Sequence, residues 1–360
     1  MARFIIKRLY YGLLVLLGVI TLVFALFHIL PGDPARMLLG QRSDVASVDA
    51  IRKDLGLDQP LRIQYLSFLN DISPVSFHKK TDPESTWHLD PGKYSNYSVI
   101  CGLGGDNVLV LKKPYLRRSY QTKREVSSIL SEALPNTLIL AVASILFAFV
   151  VGSLLGVFSA LNKDSFFDRV AMITSVIGMS LPSFFAAIVI AWVFAFLLSD
   201  YTGLEMTGSL YSVDDFGEGE YLDLKNLILP ALTLGIRPLG IITELTRGAL
   251  LDVLSQDYIR TARAKGLRNF RIITRHALRN AMNPVLTAVT GWFASLMAGA
   301  VFVEYVFGWK GLGVVIVEAL EKYDFPVIIG AVMFISVMLV LINIFVDILY
   351  GYLDPRIRPE

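Results

Sequence analysis

The chain has 360 residues, 54% of them hydrophobic and 18% charged, and its mean hydropathy is +0.57. That composition excludes an ordinary soluble domain and places the chain among membrane proteins, while the net charge of +2 says little because the charges are unevenly spread. A single cysteine, Cys101, excludes an internal disulfide framework. A basic start (Arg3, Lys7, Arg8) precedes an apolar run at 9–30. That run is longer than the roughly 7–15 residues of a signal-peptide core and lacks a small-residue cleavage site, so it predicts a permanent anchor and first span. The long loop at 31–134 follows. Within it, 49–70 predicts an amphipathic helix carrying Ile51, Leu55, Leu61, Tyr65, Leu66 and Leu69, interrupted at Gly56 and Pro60. Residues 73–114 are polar and rich in Pro, Gly, Asn and Tyr, which predicts an insertion with little core of its own. Helical character returns at 121–131.

About 20 apolar residues cross a bilayer core. Five more runs meet that length, at 137–161, 170–198, 227–245, 284–307 and 327–349. Pro182, in GMSLPSFF, predicts a kink or break in the third span. The fourth is the weakest, because Gly235, Arg237 and Pro238 fall inside it. With the N-terminus inside, Lys163, Arg169, Arg356 and Arg358 are also cytoplasmic, whereas the loop at 199–226 holds one Lys beside seven acidic residues and is external. The basic content of 31–134 does not veto an external placement, since loops longer than about 60 residues translocate largely regardless of charge.

Between the fourth and fifth spans, seven Lys and Arg from Arg260 to Arg279 face no Asp or Glu. So cationic a segment does not cross a bilayer, which makes 248–283 a cytoplasmic loop. Residues 251–265 predict one helix, Gly266 a break, and 268–279 a second helix. Arg268, Arg271, Arg275 and Arg279 share one face of the second helix, with Phe270, Ile273 and Ala277 on another. A basic face lying on anionic headgroups is the competing explanation for the outer Arg residues.

The chain has no GxxxxGK[ST] phosphate loop, and FGWKGLG follows a span rather than a strand. The four His residues lack metal spacing, and no Ser/His/Asp set stands out. Ionisable or kinked positions within spans are the default pathway candidates: Arg237 first, then Ser180, Pro182, Glu304 and Asp324. Arg237 suits the carboxylate of a peptide, and an ion pair with Glu244 or snorkelling is the alternative.

The chain resembles the permease subunits of bacterial dipeptide and oligopeptide ABC importers along nearly all its length. The resemblance is carried by RLYYGLLVLLGVITLVFALFHILPGDPA, LGLDQPLRIQYLSFL, SEALPNTLILA, DYIRTARAKGL with HALRNAMNPV, EYVFGWKGLG and VDILYGYLDPRIRP. Arg260, Thr261 and Ala262 stand where importers in general have Glu-Ala-Ala, and Gly266 keeps its place, which resembles the peptide-importer variant. Residues 73–114 have no counterpart.

The resemblance implies an all-α membrane protein with six transmembrane helices, the type I ABC importer permease fold, and a long external loop after the first helix. It divides the chain into a tail and first helix (1–30), the loop (31–134), a five-helix core (135–351) and a cytoplasmic tail (352–360). The implied partners are a homologous permease, two ATP-binding cassette subunits, an external solute-binding protein and the bilayer, with no nucleic acid. The chain is then no enzyme and holds no cofactor, ATP being bound by the partners. It sits in the bacterial cytoplasmic membrane with both termini inside. Asp257, Tyr258, Arg260, Thr261, Ala262, Ala264, Lys265, Gly266, Leu267 and Phe270 form the surface expected to meet the ATPase. Nickel and glutathione permeases share the resemblance. A non-transporting anchor or signalling subunit, and a secondary transporter, are the readings from other classes.

Overall fold

The computed structural model describes residues 2–29, 52, 58–82, 85–94, 96–213 and 219–353. The ILPGDPAR exit, most of the first half of the helix expected over 49–70, and the end of the tail lie outside the described residues. Two compact units emerge: residues 1–10, 133–317 and 337–360 form one, and residues 11–132 and 318–336 the other.

In the second of these units, helix α1 (Ala2–Ile29) lays Phe24 against Tyr65 and Phe68, at ring-centroid distances of 5.1 and 5.8 Å. Both partners belong to α2 (Leu61–Ile72), which starts directly after Pro60, whose fixed φ suits a helix start. The 73–114 insertion departs from its sequence expectation. Strands β1 (Val75–Lys79), β2 (Ser98–Gly102) and β3 (Asn107–Leu111) form an antiparallel sheet in the order β1-β3-β2. Leu89, Tyr94 and Val110 are buried against it, with Tyr97, Val108 and Tyr115 packed around them, so the insertion has a core after all. A low apolar content concealed that core because tyrosine rings supply half of its members, at large area per residue.

Asp71 organises the polar side of this core. Tyr94 donates to its carboxylate at 2.6 Å and Lys93 at 3.0 Å, while Lys112 Nζ donates to its backbone carbonyl at 2.5 Å. Burial lowers the Lys112 ammonium to about 8, against the pull of Asp71 in the other direction. Burial and the neighbouring Asp71 together push the Tyr94 hydroxyl well above the usual phenol range.

The larger unit holds most of the remaining helices. These are α3 (Val126–Leu161), α4 (Phe166–Ser180), α5 (Ser183–Ile190), α6 (Lys225–Leu254), α7 (Asp257–Ala264), α8 (Leu278–Phe307), α9 (Leu312–Glu321) and α10 (Phe325–Leu353), of which α3, α9 and α10 run on into the other unit. Strands β4 (Tyr211–Val213) and β5 (Glu220–Leu222) pair between α5 and α6. Among the described residues four helices are long and apolar enough to cross a membrane, and six spans result when each of two bent pairs counts as one. The sharper bend, 112° between Phe166–Ser180 and Ser183–Leu197, falls at Pro182, where the sequence predicts it. The other is 57°, between Asn269–Met297 and Ala300–Phe307.

Helix α6 has the lowest hydropathy of the four unbroken candidates because protein rather than lipid covers it. In its apolar window 61% is buried, against 17–33% in the other three. Close packing makes this arrangement. A Cβ on Gly240 would stand 2.6 Å from the Ser175 carbonyl oxygen on α4, and one on Gly156 the same distance from the Thr243 carbonyl oxygen. Small residues let membrane helices approach this closely, where van der Waals contact is the main attraction.

Candidate functional site

Helix α6 ends at Leu254, and the chain turns through Ser255 and Gln256 before α7 begins. The single helix expected over 251–265 is therefore two. The turn lets α7 lie against the inner ends of its neighbours. Ile259 and Ala262 are buried, in a cluster with Ala160, Leu250, Ile272, Ala277 and Ala281. Asn280 at the start of α8 donates to the Tyr258 hydroxyl at 2.8 Å, a second clamp.

With that face occupied, Asp257, Tyr258, Arg260, Thr261, Arg263, Ala264 and Lys265 are left exposed. Gly266 takes φ +76°, and its amide donates to the Arg263 carbonyl at 2.9 Å. Leu267 is half-buried against the apolar cluster. Phe270 is 78% exposed, and Ile272 takes the buried place instead. Residues Ile272–Ala277 form a π-helical stretch, and its widened turn displaces the faces expected from a regular 3.6-residue period. The Arg268, Arg271, Arg275 and Arg279 series remains exposed. Thus the structure brings together the ten residues expected at the ATPase, with Ala262 facing inward and Leu267 half-covered.

One stabilising pair has no signal in the sequence. Arg247 on α6 makes a two-pronged ion pair with Asp168 on α4, Nε at 2.6 Å and the second nitrogen at 2.7 Å. Asp168 is buried and also accepts the Asp164 backbone amide at 3.0 Å. The pair fixes the start of α4 to α6 two turns before α6 ends. Bidentate geometry of this kind is the strong form of a guanidinium–carboxylate contact.

The pathway candidates separate into two groups. Glu304 is fully buried, and its carboxylate accepts the Gly313 amide at 2.6 Å. A Cβ on Gly311 or Gly313 would overlap that carboxylate, and Gly308 ends α8 at φ +64°, which explains the glycines of FGWKGLG without any nucleotide. Asp324 is buried in the other unit and accepts the Ser119 hydroxyl at 2.5 Å and the Tyr120 amide at 2.9 Å. Both carboxylates hold turns. Ser180 returns its hydroxyl to the Val176 carbonyl, and Pro182 caps α5 at the break. Arg237 is exposed and makes no ion pair or hydrogen bond among the described residues; the alternative pairing with Glu244 is not formed. On α8, Asn280, Asn283, Thr287, Gly291 and Ser295 follow one another at steps of three or four along an exposed face. Ala288, Gly291, Trp292 and Ser295 line a shallow depression there. Sequence inspection passes over this stripe because each of its residues is small or uncharged.

Comparisons with known proteins agree along the whole chain. The model of the family "Binding-protein-dependent transport system inner membrane component" matches residues 152–359, and that of its N-terminal region matches residues 1–82. The di/tripeptide transport system permease protein DppB of Pseudomonas aeruginosa is 35% identical, with 100% of both chains covered. The dipeptide transport system permease protein DppB of Escherichia coli is 34% identical and the glutathione transport system permease protein GsiC of Pectobacterium atrosepticum 35%, each with 99% of both chains covered. An inward-facing structure of the MetNI methionine ABC transporter shares the fold, with a TM-score of 0.52 at 17% identity over 63% of this chain and 97% of that one. The all-helical membrane core is accordingly of the ABC importer permease type, and this chain belongs to the family of binding-protein-dependent transport system inner membrane components.

Proposed function

We propose that the chain is one of two permease subunits in an ATP-driven importer of short peptides. The observation that carries this reading is α7. Its inner face is clamped to α6, α8 and the end of α3, and its outer face, Asp257 to Phe270, is free to receive a partner. A short helix held this way moves with the membrane helices, so a partner that binds it differently in two states shifts the permease between two states. Two ATP-binding cassette subunits at this surface supply that energy. The chain itself lacks a phosphate loop and neither binds nor hydrolyses ATP. A second homologous permease completes the pathway, and an external solute-binding protein delivers the solute. Both termini and α7 are cytoplasmic, and the sheet-bearing insertion is external.

Peptides are the favoured solute because the relatives covering the whole chain include di- and tripeptide permeases. Glutathione, itself a tripeptide, is the second reading, favoured by the similarity to a glutathione permease. The test is reconstitution of the four membrane-bound subunits with the binding protein. ATPase activity stimulated by dipeptide-loaded binding protein is expected. Stimulation by glutathione alone would select the second reading. A complex that assembles but responds to no peptide would overturn the substrate class.

A further inference from the structure

Helix α6 is mostly covered, yet between its charged ends, Lys225 and Asp252, it keeps two unpartnered charges in its middle turns. Leu234, Gly235, Pro238, Gly240, Ile242, Thr243 and Thr246 are buried, whereas Arg237 and Glu244 are exposed. Neither makes an ion pair or hydrogen bond among the described residues. The contrast with Arg247 is informative. Three residues beyond Glu244 the same helix carries an Arg that the fold pairs bidentately with Asp168. The fold thus supplies a carboxylate to Arg247 and leaves Arg237 and Glu244 open on one strip.

Seven residues are two helical turns, so Arg237 and Glu244 lie nearly in line, about 10.5 Å apart along the axis. That spacing is why they do not neutralise each other. A lone Arg facing lipid is costly, so a strip bearing both signs belongs against water or protein.

We infer that Arg237 and Glu244 form a two-ended transit site for zwitterionic short peptides, Arg237 meeting the terminal carboxylate and Glu244 the terminal ammonium. The site rests on the importer reading above. An extended peptide of two or three residues spans about 7–11 Å, which matches the separation once the flexible side chains reach inward. The planar guanidinium fork fits a carboxylate bidentately. A bare cation or anion is attracted at one end and repelled at the other, so the pair selects a molecule carrying both charges. With α6 running from outside to inside, the peptide passes amino end first.

The test uses the assembled permease–ATPase complex in nanodiscs, nucleotide-free and without binding protein, so that selection by the binding protein does not enter. Binding of labelled dialanine is competed with unlabelled dialanine, its C-terminal amide and its N-acetyl form. The parent complex should prefer dialanine over each blocked form by about tenfold, the worth of one charge-assisted contact. In Arg237→Ala the preference over the amide should vanish while that over the N-acetyl form remains. In Glu244→Gln the reverse should hold. Arg237→Lys and Glu244→Asp, expected to assemble normally and retain part of each preference, control for folding. Equal loss of both preferences in either variant, or a parent that binds no dialanine or ignores the blocking groups, overturns the site. The importer reading is judged separately, by peptide-stimulated ATPase activity with the binding protein present.

Discussion

Gly266 shows a local requirement that sequence alone exposes. Its φ of +76° costs a residue with a Cβ about 1–2 kcal/mol, although nothing lies within 4 Å of the place that Cβ would take. Gly266→Val should therefore misplace the loop after α7 without disturbing the membrane helices. Loss of uptake and of co-purifying ATPase, at unchanged subunit abundance, is the expected result; a variant that transports like the parent would leave Gly266 as an ordinary turn. Lys112 leads to a second prediction, with a different sign from most ion-pair arguments. Its folded value, about 8, lies below the ordinary 10.5, so between those pH values the unfolded chain holds a proton the folded one lacks. Stability of the sheet-bearing unit should rise with pH through that window. Above about pH 10 the raised Tyr94 and Tyr115 hydroxyls reverse the slope, since the unfolded chain then loses protons first. Thermal unfolding followed by a fluorophore on Cys101 should show the maximum, and Lys112→Met should remove the rising limb. Gly266 is legible because glycine after a helical run is a local signal. Lys112 is not, because its partner Asp71 lies 41 residues away, and Arg247 likewise finds Asp168 across 79 residues.

At the level of elements, length and hydropathy reveal the spans, and Pro182 reveals the break between α4 and α5. The π-helical stretches at Ala191–Leu197 and Ile272–Ala277 escape detection, since one extra residue per turn leaves no mark in composition. The split between α6 and α7 also escapes, because Ser255 and Gln256 are weaker punctuation than Gly or Pro; the burial of Ile259 and Ala262 supplies the reason for the turn. Packing of α6 against α4 can be tested directly. Gly240→Leu would push a side chain into the Ser175 carbonyl, 2.6 Å from its Cβ, and into Met179, at 2.9 Å. Overpacking of this type costs about 1–3 kcal/mol, so the variant should lower subunit abundance severalfold and depress its melting temperature in detergent. Gly248→Leu on the same helix, where a Cβ meets nothing within 4 Å, should leave both unchanged. Equal behaviour of the two variants would mean that α4 yields to α6 without penalty.

For the molecule as a whole, charge asymmetry sets the expected orientation, and two exposed positions allow it to be measured. Cys101, the single cysteine, is exposed on β2 within the insertion. Asn269 is exposed just beyond Gly266. An impermeant maleimide should label Cys101 in intact spheroplasts without lysis. In a Cys101→Ser background, Asn269→Cys should react only after the membrane is opened. Seven Lys and Arg between Arg260 and Arg279, with no acidic residue among them, make the second result the stronger test, because moving that segment outside would reverse the positive-inside arrangement. The first result bears on the insertion, whose charge sets no orientation in so long a loop and whose sheet is a folded body that the proposed topology puts outside. Labelling of both positions from the same side would break the alternation of spans. It would require the bent pair Phe166–Leu197, which lies between the two positions, to enter and leave by the same face at its 112° break.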